Sequence, residues 1–427
     1  MKKHLIARAL CAAFLTTAVA APALASEAEL LQKLEKLAAE LDSLKAELAA
    51  TRNKTDKVEQ KQEALATAGS SRGAALAANT VISSYGEIAY SQPKNASNQA
   101  QTDVARAVIG ITHRFSEKTK MVGEFEWEHA VVSKDDEGEA EVEQLYVEHE
   151  IQPGLSAKAG LFLMPVGLLN SAHEPTAYHG VHRNFVETAI IPTTWREAGF
   201  GLSGNYDNGL SWDLGATTGF DLSKWDGAAA EGRESPLRSI HQEGQLAKSK
   251  DISLHAALNW RGVPGLLLGA SVFSGKAGHS TEGFAGNDAR ITLWDLHARY
   301  NPGRLDLQAL YARGAISNTE ALNLTLVGQT TPVPSSFYGW YAQAAYALWK
   351  NEQYSLTPFI RYEQFNTANS YSAVPQGLGV AAADAEKVTT VGASFKIGEG
   401  VVLKADMQKF KLDSSRDRYN LGVGYSF

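Results

Sequence analysis

Trp340-Tyr341-Ala342-Gln343-Ala344-Ala345-Tyr346-Ala347-Leu348 decides the fold, because its residues alternate with a period of two. Trp340, Ala342, Ala344, Tyr346 and Leu348 fall on one face, with aromatics near the ends and small or aliphatic residues between them. This is the pattern of a strand that faces lipid between two aromatic girdles. Thr292, Trp294, Leu296, Ala298 and Tyr300 repeat it, as do Ile252, Leu254, Ala256, Leu258 and Trp260. The opposite faces carry Asp295, His297 and Arg299, or Ser253, His255 and Asn259. Such groups need water, so the reading expects a hydrated lumen rather than a packed interior.

The same period marks strands near 81–91, 103–114, 119–131, 140–151, 155–164, 195–206, 209–220 and 250–260. Eight more are expected near 265–274, 289–300, 304–314, 336–349, 353–365, 387–397, 400–412 and 418–427. Sixteen is an even count, and the connections sort by parity. Odd-numbered ones are long or polar, among them 165–194, 221–249, 275–288, 315–335 and 366–386. Even-numbered ones are tight turns such as Gln152-Pro153-Gly154, Asp207-Asn208-Gly209, Asn301-Pro302-Gly303 and Gly398-Glu399-Gly400. A transmembrane barrel sorts its loops this way, with short turns toward the periplasm, whereas a soluble sandwich has no reason to. The expected fold is therefore all-β, a 16-stranded antiparallel transmembrane β-barrel over residues 80–427. The last strand places Tyr419, Leu421, Val423, Tyr425 and Phe427 on one face, an ending like the C-terminal signal of outer-membrane barrels.

Composition agrees. The 427 residues hold 15 Tyr, 15 Phe, 8 Trp and 37 Gly against 13 Pro, which suits many short strands and excludes disorder. Cys11 is the only cysteine, so disulfide scaffolds, thiolate metal sites and cysteine nucleophiles are excluded from the mature chain.

Upstream of the barrel, Lys2, Lys3 and Arg8 precede an apolar run from Ala9 to Ala21, and Ala23-Leu24-Ala25 offers a cleavage site, so residues 1–25 read as a signal peptide. Cleavage removes three positive charges and takes the formal charge from −7 to −10, which argues against nucleic acid as a partner. Leu30, Leu34, Leu37, Leu41, Leu44 and Leu48 form a heptad seam, so 26–68 reads as an N-terminal periplasmic coiled-coil helix. So narrow a stripe buries little alone and is expected to associate with copies of itself, the alternative being packing on its own barrel. Residues 69–79 read as a linker.

Face assignment puts eight basic residues on the lumen wall: Arg106, Arg114, Lys158, Arg299, Arg361, Lys396, Lys404 and Arg418. Eleven acids face them: Glu87, Glu124, Glu126, Glu128, Glu148, Glu150, Asp213, Asp295, Asp306, Glu363 and Asp406. A wall so nearly balanced leaves selectivity to a constriction. The connection 165–194 and its downstream edge carry His173, Glu174, Tyr178, His179, His182, Arg183, Glu187, Arg196 and Glu197. These are the constriction and solute-binding candidates, on the expectation that so long a loop folds into the lumen and packs Val166, Leu168, Leu169, Ile190 and Ile191 on the wall. The histidines lack the spacing of a helical zinc motif, since Ala177 stands where His173-Glu174 would require a second histidine. They read instead as neutral or partly protonated groups lining a wet pore, with no metal and no cofactor. Glutamate at Arg183 and Arg196 is expected to move ion preference toward cations.

Gly160 to Gly204, through GLFLMPVGLLNSAHEP, YHGVHRNFVET and IIPTTWREAGFGLSG, resembles the phosphate-selective porin O and P family of Gram-negative outer membranes. The resemblance implies a homotrimeric porin in contact with outer-membrane lipid and lipopolysaccharide, passing small ions and solutes through a constriction made by 165–194. Phosphate-selective members use arginine-rich constrictions and an arginine ladder, whereas this loop region holds only Arg183 and Arg196. A general or weakly anion-preferring channel is therefore expected. The rival readings are a surface adhesin or receptor presenting 221–249 and 315–335, and a barrel enzyme, for which no nucleophile motif stands out beyond Ser171 near His173.

Overall fold

The computed structural model describes residues 79–427 except residue 376; the signal peptide, the coiled coil and all but the last residue of the linker lie outside the described residues. Strands β1 Thr80–Pro93, β2 Gln101–Arg114, β3 Thr119–Glu128 and β4 Ala140–Gln152 are followed by β5 Leu155–Leu163, β6 Arg196–Asn205, β7 Leu210–Thr217 and β8 Ser253–Trp260. The second half holds β9 Leu266–Lys276, β10 Arg290–Tyr300, β11 Leu305–Ser317, β12 Ser336–Tyr346, β13 Tyr354–Ser370, β14 Glu386–Ile397, β15 Val401–Phe410 and β16 Arg418–Ser426. A two-residue pairing, Trp349–Lys350 with Leu356 and Ser355, decorates the turn between β12 and β13. Each strand pairs antiparallel with its sequence neighbours, and β1 closes on β16 from Tyr85↔Ser426 to Pro93↔Arg418. Closure leaves no free edge, which is what a sheet needs where water cannot satisfy its backbone.

Loop length sorts by parity. At one end the turns are tight and carry glycine at positive φ, as at Gly154 (φ 79°), where an added Cβ would stand 2.6 Å from the Asn205 carbonyl oxygen. Long loops 164–195, 218–252, 318–335 and 371–385 lie at the other end.

The outer face is apolar: Phe200 is 73% exposed and Leu254 64%, and Leu296, Leu421 and Ile360 are also exposed. Aromatics band it at two levels. Near the short turns, Trp349, Tyr354 and Phe395 stack with ring centroids 5.8 to 6.3 Å apart. Closer to the long loops, Trp294 meets Tyr311 at 5.4 Å and Trp340 meets Tyr362 at 5.5 Å.

The interior differs from the expected hydrated lumen. A hydrophobic cluster occupies its long-loop half on the β9 to β12 side, where Phe273, Ile291, Leu293 and Phe337 face inward and receive Ile190, Trp195 and Leu237 from the long loops. Alternation had put the polar groups inside correctly, but the upper inward positions of these strands are apolar. Such a surface facing water would forfeit roughly 1.5–3 kcal/mol per large side chain, so the loops cover it. Asp295 and His297 beneath are buried and bonded to each other, 2.5 Å apart, rather than hydrated.

Candidate functional site

Loop 164–195 folds into the barrel, and its neck is clasped by one side chain. Asn170 donates Nδ2 to the carbonyls of Met164 and Trp195, both at 2.8 Å, and accepts the Trp195 amide at 2.7 Å. Inside, Glu187 is a hub. Its carboxylate accepts the amides of Leu168 and Leu169 at 2.7 Å, Asn184 Nδ2 at 2.8 Å and the Tyr341 hydroxyl at 2.9 Å. Wall carboxylates complete the anchoring: Asp295 accepts the Gly167 amide at 3.2 Å, Glu363 that of Phe185 at 2.6 Å and Asp406 that of Val181 at 2.6 Å. Three of the acids expected to set the lumen's field are therefore committed to the loop's backbone, whose buried N–H groups need acceptors.

The loop reaches far toward the short-turn end. Thr176 meets Ser426 at 2.8 Å, and Lys396 donates to the Thr176 carbonyl at 2.9 Å. His179 stacks on Phe359 with centroids 5.7 Å apart and contacts Asp306 at 3.2 Å. Tyr178 donates to Glu87 at 2.7 Å under the ammonium of Lys404, which lies 3.6 Å from the ring centroid. His182 contacts Ser91 at 3.0 Å, and Arg183 donates to the hydroxyls of Thr193 and Thr194.

The candidate residues therefore divide. Glu174, His179, His182 and Arg183 keep part of their surface exposed, whereas His173, Tyr178, Glu187, Arg196 and Glu197 are buried. The histidines do not all line a wet pore: His173 is 3% exposed, held with Nδ1 3.0 Å from the Asn170 carbonyl and Nε2 2.6 Å from the Tyr85 hydroxyl. Glu197 accepts from Trp195 Nε1 at 2.9 Å and from Thr218. Arg196 is clamped between Glu141 and, at 3.2 Å, Glu243.

All the assigned wall residues lie on inward-facing register positions, Arg114 at the exposed rim. Nine of them enter five ion pairs: Arg106 with Glu87 at 2.9 Å, Lys158 with Asp213 at 3.3 Å, Arg299 with Asp306 at 2.8 Å, Arg361 with Glu363 at 3.0 Å and Glu148 with Lys120 at 3.0 Å. Lys404 and Lys396 bond to a ring and a carbonyl, and Arg418 donates to Gln408 at 2.6 Å, so these cations keep neutral partners.

Two inward acids escaped the sequence reading. Across the β3–β4 ladder, Glu124 faces Gln144 but Phe125 faces Val142, so a bulge at Glu143 turns Glu141 and Glu143 inward together with Gln144. The signal was present, since strict alternation would have left two glutamates facing lipid, at odds with the flanking Val142 and Leu145.

Above the loop, a cavity of about 730 Å³ opens among Glu128, Glu139, Glu141, Arg196, Arg238 and Glu243. A neighbouring one of about 780 Å³ holds Arg233, Arg416, Glu234, Glu386 and Asp413, and both share Glu231 and Arg238. The long-loop mouth is thus a polar vestibule of mixed charge.

No known family's sequence pattern matches the chain. It is 28% identical over 357 residues to an uncharacterized protein of Aquifex aeolicus, across 81% of this chain and 79% of that one. Among solved structures, OmpF of Salmonella typhi in complex with daunomycin superposes with a TM-score of 0.57 at 16% identity, covering 82% of this chain and 98% of its own. OprB of Pseudomonas putida gives 0.51 at 11% identity, covering 82% and 94%. The outer membrane channel DcaP of Acinetobacter baumannii gives 0.50 at 10%, covering 82% and 97%. At these identities the likeness is one of fold: a closed barrel of the porin kind.

Proposed function

We propose that this chain is an outer-membrane diffusion channel for small hydrophilic solutes and ions. One observation carries the reading: a closed sixteen-stranded barrel, apolar outside and charged inside, holds loop 164–195 within the lumen. An apolar outer wall with two aromatic bands suits a bilayer, and a charged interior narrowed by a loop suits aqueous passage past fixed charges. Short turns then face the periplasm, and the vestibule of mixed charge faces outward. Lipid and lipopolysaccharide cover the wall.

A weak preference for anions follows from the cations that hold neutral partners, Arg183, Lys396, Lys404 and Arg418. The Gly160–Gly204 resemblance supports kinship with phosphate-selective porins and self-association into trimers, although the arginine ladder of those channels has no counterpart here. Planar-bilayer recording of the purified protein tests the proposal. Stepwise conductance in symmetric salt, in groups of three, is the expected result; a protein that inserts and gives no conductance steps is not a channel. Anion preference blocked by added phosphate would extend the family's selectivity to this chain.

A further inference from the structure

Three carboxylates and one imidazole converge where the inward loop meets β3 and β4. A ring nitrogen of His173, a carboxylate oxygen of Glu143 and one of Glu124 all lie within 4.8 Å of one another. Glu143 is wholly buried and Glu126, beside it, is 2% exposed. Each has an oxygen, Oε1 in both cases, with no hydrogen-bond donor among the described residues, and Oε1 of Glu143 stands 3.7 Å from His173 Nε2. The orientation of His173 is fixed from behind. With Nδ1 3.0 Å from the Asn170 carbonyl, the ring's N–H is committed there and Nε2 presents its lone pair to the carboxylates. Tyr85 cannot satisfy both neighbours. Its single phenolic proton lies between Glu143 Oε2 at 2.8 Å and His173 Nε2 at 2.6 Å, so one of the two contacts lacks a proton. Arg106, over the Tyr85 ring at 5.1 Å, turns Nε to Glu87 and Nη2 to the His173 carbonyl and leaves Nη1 without a partner, so it bonds none of the three ligand candidates' side chains.

We propose that Glu124, Glu143 and His173 form a binding site for one divalent transition cation of the zinc or manganese class. Such an ion supplies the missing positive charge and takes up the orphaned Glu143 oxygen and the Nε2 lone pair. A mixed nitrogen and oxygen set suits these metals, whereas calcium and magnesium prefer oxygen alone. Glu124 is half-buried on the lumen side and offers the route from solvent, while Glu126 backs the ligands. The metal would staple the inward loop to the β3–β4 wall.

Calorimetric titration of the EDTA-stripped full chain in detergent, with zinc chloride and separately magnesium chloride, tests this without recourse to conductance. One equivalent of Zn²⁺ per chain with a raised Tm is expected, with no comparable Mg²⁺ binding. Glu143→Gln and His173→Gln should each weaken it by roughly tenfold or more. Glu124→Gln, at the accessible edge, should do the same with an unchanged circular dichroism spectrum, and decides the matter alone should the buried variants fail to fold. Zn²⁺ binding that survives these substitutions, or no binding by the parent, overturns the proposal, the second result leaving a proton shared between Glu126 and Glu143 as the pocket's neutraliser.

Discussion

A charge in a loop tells little about its role until its partners are known, and Glu187 makes the point. Its position in a polar connection suggests a pore-lining carboxylate, yet its four hydrogen bonds join the start of the inward loop to its end and to Tyr341 on the wall. Nothing in the local sequence announces this, because the amides of Leu168 and Leu169 lie 18 to 19 residues upstream. Glu187→Ala should leave those buried donors without an acceptor, at roughly 1–3 kcal/mol for each group left unsatisfied. The strands keep their own bonds, so the far-ultraviolet dichroism should persist while the loop loosens. Trypsin should then cut at Arg183 many times faster than in the parent; an unchanged cleavage rate would show that the loop is held without Glu187. His173 was equally opaque, since its partners Tyr85 and Glu143 come from strands 88 and 30 residues away in sequence, beyond any local motif.

At the scale of elements, the sixteen strands were legible nearly to their ends because alternation and turn chemistry agree, as at Asp207-Asn208-Gly209, where Gly209 adopts φ 82°. Alternation fails only where the backbone slips, and the bulge at Glu143 reversed the faces of Glu141 and Glu143. Loops have no period, so the docking of 218–252 was not legible. Its return limb presents Glu243 to His241 at 2.8 Å and to Arg196 at 3.2 Å. Burial pushes the Glu243 carboxyl up, but the hydrogen bond from His241 and the charge of Arg196 outweigh it and hold it below the ordinary glutamate value. A carboxyl lowered by folding stabilises the docked loop above its unfolded value of about 4.3, and that contribution is lost as pH falls through the lower folded value. Trp225, on the same loop, reports the change. Acrylamide quenching of tryptophan should rise on acidification below about pH 4 in the parent, while Glu243→Gln should be raised already at neutral pH and depend less on pH. Parallel curves would place the acid response in Asp221 instead, a carboxyl of the same loop that burial pushes up but hydrogen bonds from Ser223 and Lys248 hold below its ordinary value.

For the whole molecule, a count of inward charges misjudges the field, because most are spent. Five wall pairs neutralise each other, and Asp295, Glu363 and Asp406 accept loop amides. What remains is sorted by sector: glutamates 124, 126, 128 and 143 gather on β3 and β4, whereas Lys396, Lys404 and Arg418 lie on β14 to β16 beyond the intervening β1 and β2. The inward loop brings Arg183, bonded only to threonine hydroxyls, between these sectors. Arg183→Glu therefore inverts a charge that no ion pair cancels. Its reversal potential across a salt gradient should shift toward cation preference, most at low salt, since screening at 0.1 M acts over about 10 Å. Arg196→Glu belongs to a different category, contrary to the expectation that both arginines tune selectivity. It would set a third carboxylate against Glu141 and Glu243 in a buried position, and should lower the Tm or prevent folding before it alters selectivity. A folded Arg183→Glu channel with the parent's reversal potential would remove Arg183 from the conducting path. The preference would then rest on Lys396, Lys404 and Arg418, where neutral glutamine substitutions give the same readout one residue at a time.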